Sequence, residues 1–374
     1  MRRMQSLKPS RHSEAPKLRG NNHSLGMIVW NGVYAIAHSD VLATLRELPS
    51  NEFDGLLCDP PYGLCFQAKT WDYNVPPYHV WHEALRVLKP GAPLLAFGGP
   101  RTFHRIASIV EDVGFELRDC FMWLFGSGFP KSQNVSLALD KEASTAPLST
   151  KEKGGTHDVL AMPATPLARI WDGYSTTLKP AYEPIVLARK PLEGNLAQNV
   201  ARWGVGGLAI DACRIGDRWP ANLILDEGAG ALLDASVAPT HSVSGGPSRF
   251  FYCAKVSTKE REFGCEALPK RIASDLFRRK TGSAGIEHPR AGAGRGSGAH
   301  NHHPTLKPIG LTRWLATLIK PPSDTAQLLV PYCGTGSEMI GALQAGWSIV
   351  FGIERNAEYV QIAHARLGVW GEKR

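Results

Sequence analysis

Phe53-Asp54-Gly55-Leu56-Leu57-Cys58-Asp59-Pro60-Pro61-Tyr62 is a short apolar run that ends on a carboxylate and two prolines. Phe53 to Cys58 has the length and composition of a buried strand, and the prolines that follow cannot extend it. In an open α/β sheet, the carboxyl end of a strand is where ligands bind. Working outward, Val33 to Ala37 reads as an earlier strand, and Val41, Leu42, Leu45 and Leu48 recur at helical spacing after it. Downstream, Tyr78 to Leu88 reads as a helix stopped by Lys89-Pro90-Gly91, then Pro93 to Phe97 as a strand, Phe103 to Val113 as a helix and Leu117 to Leu124 as a strand. This alternation predicts an α/β fold with a mostly parallel sheet and helices on both faces.

The rhythm stops after Gly126, where Gly, Ser, Pro and basic residues dominate as far as about Asn301. Residues 131–302 are therefore expected to form an irregular insertion, with Pro184 to Ala188 and Ala221 to Leu225 as short strand candidates and a flexible loop over 281–302. At Lys307 the α/β pattern returns: Ile309 to Ile319 helix, Gln327 to Val330 strand, Glu338 to Gln344 helix, Ser348 to Ile353 strand and Ala357 to Leu367 helix. Residues 27–130 and 303–374 are thus expected to be two halves of one domain. Residues 1–26 carry six basic side chains against the single acid Glu14 and read as a flexible basic tail.

Composition narrows the classes. The chain has 374 residues, 43% hydrophobic and 20% charged, which is enough to bury a large core. Its net charge of +8 and pI of about 9.1 suit a polyanionic partner without proving one. Seven scattered cysteines with no C-x-x-C pair argue against a disulfide framework and a zinc site, and point to a reducing cytoplasm. No apolar run is long enough to span a bilayer, and the first residues lack the apolar middle of a signal peptide.

Two further motifs carry chemistry. Val330-Pro331-Tyr332-Cys333-Gly334-Thr335-Gly336-Ser337 is a glycine-containing turn between a strand and a helix, where the missing Cβ atoms let backbone approach a ligand. The next strand ends at Glu354, placed to accept hydrogen bonds from ribose hydroxyls. Asp40, after the first strand, serves equally as a helix N-cap or as an acceptor for an adenine amino group. His303-Pro304-Thr305-Leu306-Lys307-Pro308 precedes a helix and suits either a plain helix entry or a wrap around a cofactor's end.

In their order along the chain, these motifs resemble the permuted, β-class amino-methyltransferases of bacterial and phage DNA modification. The resemblance covers roughly Val33 to Phe125 and His303 to Leu367. It implies a Rossmann-like methyltransferase fold with a target-recognition insertion, S-adenosyl-L-methionine as cofactor, double-stranded DNA as partner and no metal. By position, Asp59, Pro60, Pro61 and Tyr62 become catalytic. Asp59 and the Pro60 carbonyl would accept from the N–H groups of a base's exocyclic amine, whose lone pair is otherwise delocalised into the ring, while Tyr62 stacks on the flipped base. Asp40, Asp59, Thr305, Lys307, Pro331, Cys333, Gly334, Thr335, Gly336, Ser337 and Glu354 become cofactor-binding. The resemblance also makes a homodimer and a cognate restriction nuclease candidate partners.

Asp in the first catalytic position favours adenine N6 over cytosine N4. RNA or protein amino-methylation, and an inactive DNA-binding relative, are the other readings. One departure stands out: family members often read Asp-Pro-Phe where this chain has Val330-Pro331-Tyr332, so a carboxylate near the cofactor's charged end is absent. Lys69, Trp123, Lys131, Arg202, Arg218 and Arg249 are candidate DNA contacts, by the suitability of forks and aromatic faces for phosphates and bases. Gln133, Asn134, Trp203, Arg214 and Trp219 are further candidates, and Phe66, Lys69 and Trp71 could close over the target.

Overall fold

A computed structural model describes residues 28–64, 72–126, 132–143, 162–236, 246–254, 259–271 and 298–371. The basic tail, Phe66, Lys69, Trp71, Lys131 and most of 281–302 lie outside the described residues.

The first half runs β1 (Ile28–Trp30), β2 (Tyr34–His38), α1 (Val41–Glu47), β3 (Gly55–Cys58), α2 (Tyr78–Val87), β4 (Pro93–Phe97), α3 (Phe103–Asp112) and β5 (Glu116–Leu124). The middle adds α4 (Val135–Ala143), α5 (Pro166–Ile170), β6 (Tyr182–Arg189), α6 (Leu196–Trp203), β7 (Leu223–Asp226), α7 (Glu227–Ala235), β8 (Tyr252–Ala254) and α8 (Lys259–Glu262). The last segment contributes α9 (Ile309–Ile319), β9 (Gln327–Pro331), α10 (Ser337–Gln344), β10 (Ile349–Glu354) and α11 (Ala357–Gly371).

One ten-stranded sheet has the order β1-β2-β10-β9-β3-β4-β6-β5-β7-β8. It is parallel throughout except at the β1/β2 edge and around β6, which runs antiparallel to both β4 and β5. Alternate side chains of the buried strands feed two separate cores, as period-2 geometry requires. Leu57, Leu95 and Phe97 pack with the Ile309, Leu315, Ile340 and Leu367 side chains of α9, α10 and α11 on one face. Leu56, Cys58, Leu94 and Ala96 pack with Val41, Leu45, Trp81 and Ile106 of α1, α2 and α3 on the other. The sheet is doubly wound, the Rossmann-like arrangement that the sequence implied.

Strands β3 and β9 lie side by side, Leu56 opposite Leu329, although more than 270 residues separate them. From β9 the chain crosses to β10 on one side; from β3 it crosses to β4 on the other. The β3/β9 boundary is therefore the topological switch point, where a crevice opens at the carboxyl ends. At the opposite rim, Asp54 fastens the two halves: Oδ2 accepts from the Gln327 backbone N–H at 2.8 Å and Oδ1 from Lys89 Nζ at 2.6 Å.

The reading of 131–302 as irregular needs correction. Its residues supply β6, β7 and β8 to the main sheet, and β6 stands between β4 and β5 with Ile185, Leu187 and Ala188 buried. Pro184 to Ala188 was recognisable as a short strand, the centre of the observed Tyr182–Arg189, but nothing in its pattern said that it would enter the sheet of the flanking halves. The expected flexible loop also ends earlier than 302: Ala299 pairs with Arg271, and the fully buried Asn301 donates to the Arg261 carbonyl at 3.0 Å.

Candidate functional site

The carboxyl ends of β2, β3, β9 and β10 surround a cavity of about 660 Å³. Its lining includes Asp40, Asp59, Pro60, Pro61 and Tyr62 from the first half, Thr305 and Lys307 from the loop before α9, and Cys333, Gly334, Thr335, Ser337 and Glu354 from the last segment. Two of the cofactor-site candidates stand apart from the lining. Pro331 closes β9 opposite Ile353, and Gly336 (φ +82°) turns toward Ala363 of α11 and starts α10. Both shape the turn from behind.

Asp59 leaves β3 into the cavity, and both carboxylate oxygens are engaged. Oδ1 accepts from the Tyr62 hydroxyl at 2.6 Å, and Oδ2 from Lys307 Nζ at 2.7 Å. Lys307 also meets Glu183 Oε2 at 3.2 Å, and the Tyr62 hydroxyl reaches the same Glu183 oxygen at 3.1 Å. Burial works against charge on Lys307, yet Asp59 and Glu183 outweigh it and hold its ammonium above the ordinary lysine range. The Tyr62 phenol is pushed well up by burial and then by the same two carboxylates, so it stays a donor. In this arrangement the polar end of Tyr62 is committed to Asp59, and Lys307 belongs to the Asp59 side of the cavity. Asp72, buried, holds the Pro-Pro-Tyr turn by accepting from the backbone N–H groups of Tyr62 at 2.7 Å and Gly63 at 3.1 Å.

The second turn is equally braced. Tyr332 has φ 59°, an uncommon value for a bulky residue, of the kind that concentrates at functional sites. At Gly334 (φ +51°) a Cβ would stand 3.2 Å from His303 Nε2, a tight contact on a backbone conformation that favours glycine. Glu354 accepts from the backbone N–H of Gly334 at 3.1 Å and of Asn356 at 2.7 Å, leaving further lone pairs on its oxygens. Behind the turn, the buried Arg366 donates to the Thr335 carbonyl at 2.6 Å and to Ser337 Oγ at 3.2 Å. Burial lowers the Arg366 guanidinium to about 10, still charged at neutral pH. His303 is lowered by burial to about 4 and is a neutral wall. Asp40 caps α1, accepting from Ala43 N–H at 3.1 Å, while also lining the cavity. The cap and the ligand-facing reading coexist.

Sequence reasoning missed four residues here: Asp72, Glu183, Glu338 and Arg366. Glu338 lies in the first turn of α10 and lines the cavity, 5% exposed. Its only signal in the sequence was an acid at a helix start, which dipole complementarity alone explains. Glu183 had none, because its place depends on β6 entering the sheet.

The candidate DNA contacts fare differently. Trp123 is 8% exposed and packs on Phe125 at 5.3 Å within the core, so it is not a surface face. Arg202 pairs with Glu193 and stacks on Trp203 at 5.1 Å; its helix packs at Pro90 and Gly91, where β4 begins. Arg218 precedes β7 and Arg249 precedes β8, both against the Phe250 ring at 4.7 and 4.3 Å. Since β7 and β8 run parallel to β5, and β5 with β4, these three arginines stand at the amino rim, away from Asp59. Strand direction, invisible in composition, is the reason.

No family model matches the chain. It is similar to the type II methyltransferase M.HindIII of Haemophilus influenzae, 23% identical over 215 residues that cover 46% of this chain and 63% of that protein. It is also similar to the type II methyltransferase M.HpaI of Haemophilus parainfluenzae, 31% identical over 106 residues covering 26% of this chain and 34% of the relative. The chain thus spans less than two thirds of either relative. Among solved structures, the cytosine-N4-specific PvuII DNA methyltransferase aligns over 89% of this chain and 86% of its own, with TM-score 0.46 and 14% identity. The structure of M1.HpyAVI aligns over 90% and 98%, with TM-score 0.42 and 12% identity.

Proposed function

We propose that this chain is an S-adenosylmethionine-dependent DNA methyltransferase acting on adenine N6. The observation that carries the proposal is that the Asp59–Tyr62 turn and the Cys333–Ser337 turn, on adjacent strands at the switch point, line one cavity. The similarity to two type II methyltransferases supports the methyltransferase part of this reading, and Asp59 in the first position of the turn is what favours adenine N6. The residues fit the cofactor chemically. The cavity lies within the usual range for small-molecule sites, and Gly334 admits a close backbone approach. Glu354 keeps free acceptor capacity, and the acidic lining suits a donor with two cationic centres.

When bound, S-adenosylmethionine supplies an electrophilic methyl group on a sulfonium. The chain's part is to hold the amine. Asp59 has lone pairs beyond the two already used and can accept one amino N–H, with the Pro60 carbonyl as the second acceptor. Two acceptors aimed at the N–H groups draw the nitrogen lone pair out of conjugation toward the methyl, which is transition-state stabilisation by prepositioned dipoles. Lys307 and Tyr62 fix the Asp59 carboxylate plane before the base arrives. The target base must leave the duplex stack to reach this depth, and Tyr62 or the half-exposed Tyr73 on the lining offers it an aromatic face.

The test is to incubate the protein with DNA and methyl-labelled S-adenosylmethionine, digest to nucleosides and identify the labelled one. N6-methyl-deoxyadenosine is the expected product. N4-methyl-deoxycytidine would move the acceptor to cytosine, which the same pair of acceptors serves. Label that enters RNA or protein and not DNA would overturn the proposal.

A further inference from the structure

Six carboxylates line the cavity among the described residues: Asp40, Asp59, Asp72, Glu183, Glu338 and Glu354. Five are hydrogen-bonded to other residues. Asp40 caps α1, Asp59 and Glu183 share Lys307 and Tyr62, Asp72 holds two backbone N–H groups and Glu354 two more. Glu338 differs. It is 5% exposed, and among the described residues no other side chain hydrogen-bonds or ion-pairs with it; its own backbone N–H is the bond it has. The Lys307 and Arg366 charges act on it from a distance without touching it; a buried carboxylate with no direct partner is costly, and a cationic ligand can supply one.

Resting on the reading of the cavity as a donor site, we propose that Glu338 binds the α-ammonium group of S-adenosylmethionine. The donor carries two cations, and the chemistry selects between them. The sulfonium charge disappears as the methyl leaves, so a carboxylate against it would stabilise the ground state more than the transition state and slow transfer. The ammonium charge is unchanged by the reaction, so a carboxylate there contributes binding alone. The position agrees: Glu338 follows the glycine turn directly and feels the fields of Asp59 and Lys307. Burial, and then the Asp59 charge, push its carboxyl up to about 7 in the free protein, the condition of an acid waiting for a cation.

The experiment compares the parental protein with Glu338→Gln by calorimetry against three probes: S-adenosylmethionine, S-adenosylhomocysteine, which keeps the ammonium but not the sulfonium, and methylthioadenosine, which has neither. The parental protein binding S-adenosylmethionine is the control for the donor-site reading; if it does not bind, that reading fails before any variant is made. Given that binding, Glu338→Gln should weaken S-adenosylmethionine and S-adenosylhomocysteine by the same factor, on the order of tenfold to hundredfold, and leave methylthioadenosine unchanged. In methyl transfer, KM for the donor should rise and kcat hold.

Because glutamine removes a buried carboxylate that no other described side chain touches, the variant should melt no lower than the parent without donor. Glu338→Asp, which keeps the charge on a shorter arm, should bind the two amino-acid probes with intermediate affinity. Equal affinity of parent and Glu338→Gln for S-adenosylhomocysteine would overturn the proposal. So would a loss confined to S-adenosylmethionine, which would move the contact to the sulfonium, or an equal loss for methylthioadenosine, which would mean a collapsed pocket.

Discussion

Asp54 and Asp59 bracket the same strand, β3, and each holds a lysine at nearly the same distance, 2.6 Å to Lys89 and 2.7 Å to Lys307. Their surroundings set them apart. Asp54 also accepts from a backbone N–H of β9, lies against no described cavity and is matched to a lysine at the amino rim. Among the described residues Asp59 is met only by side chains, those of Tyr62 and Lys307, and it faces a cavity of about 660 Å³. A backbone partner cannot be exchanged without moving a strand, whereas side-chain partners can yield to a substrate amine. One ion pair is a fastener and the other, on the function proposed above, a held reagent, and the difference lies in the second partner, not in the pair.

The widest separation should come from replacing each acid by its amide. Asp59→Asn should reduce methyl transfer by the folded protein on the order of 10³-fold, with Glu183 left to pair the Lys307 ammonium; a rate within threefold of the parent would erase the distinction between the two ends of β3. Lys307→Met leaves the half-buried Asp59 and Glu183 without their cation and should lower unfolding free energy by about 3 kcal/mol in urea titrations, more than any change at the partly exposed Lys89. Asp54→Asn should lower stability by about 1–3 kcal/mol while specific activity of the folded fraction stays at the parental level, which active-site titration checks.

Smaller effects sharpen the picture. Tyr62→Phe removes one donor from Asp59 and should change stability by about 1 kcal/mol and kcat by less than the Asp59 change. The pH profile of donor affinity is the finest probe. Glu338 has a raised carboxyl, near 7, so below that pH a bound cation must first expel its proton. Affinity should therefore climb as pH rises toward about 7 and level off above it. Lys307 and Arg366 stay charged across this window and the neutral His303 stays neutral, so the slope should flatten in Glu338→Gln to what Glu354, whose carboxyl burial also raises, contributes. The stability sign runs the opposite way: the free protein gives up stability as pH rises from about 4.5 to 7 and Glu338 is forced to ionise, a loss absent in the glutamine variant.

Much of this molecule can be read along the chain because its strands and helices are long enough for their periodicities to speak. The bounds of Pro93–Phe97 and Ile309–Ile319 match their apolar patterns, and the prolines after Asp59 and the glycines after Pro331 mark strand ends that local chemistry alone dictates. Those two turns, and the order in which they occur, were legible from local rules. What local rules cannot carry is which strand lies beside which, and in which direction. That Tyr182–Arg189 enters the sheet antiparallel, bringing Glu183 to Lys307, and that Arg202, Arg218 and Arg249 fall at the far rim, were decided by topology. The same holds for Glu338: an acid in a first helical turn is ordinary in sequence, and only packing from α9, α11 and the β3/β9 crevice makes it a buried carboxyl that no other described side chain touches, since burial is a property of neighbours distant in the chain.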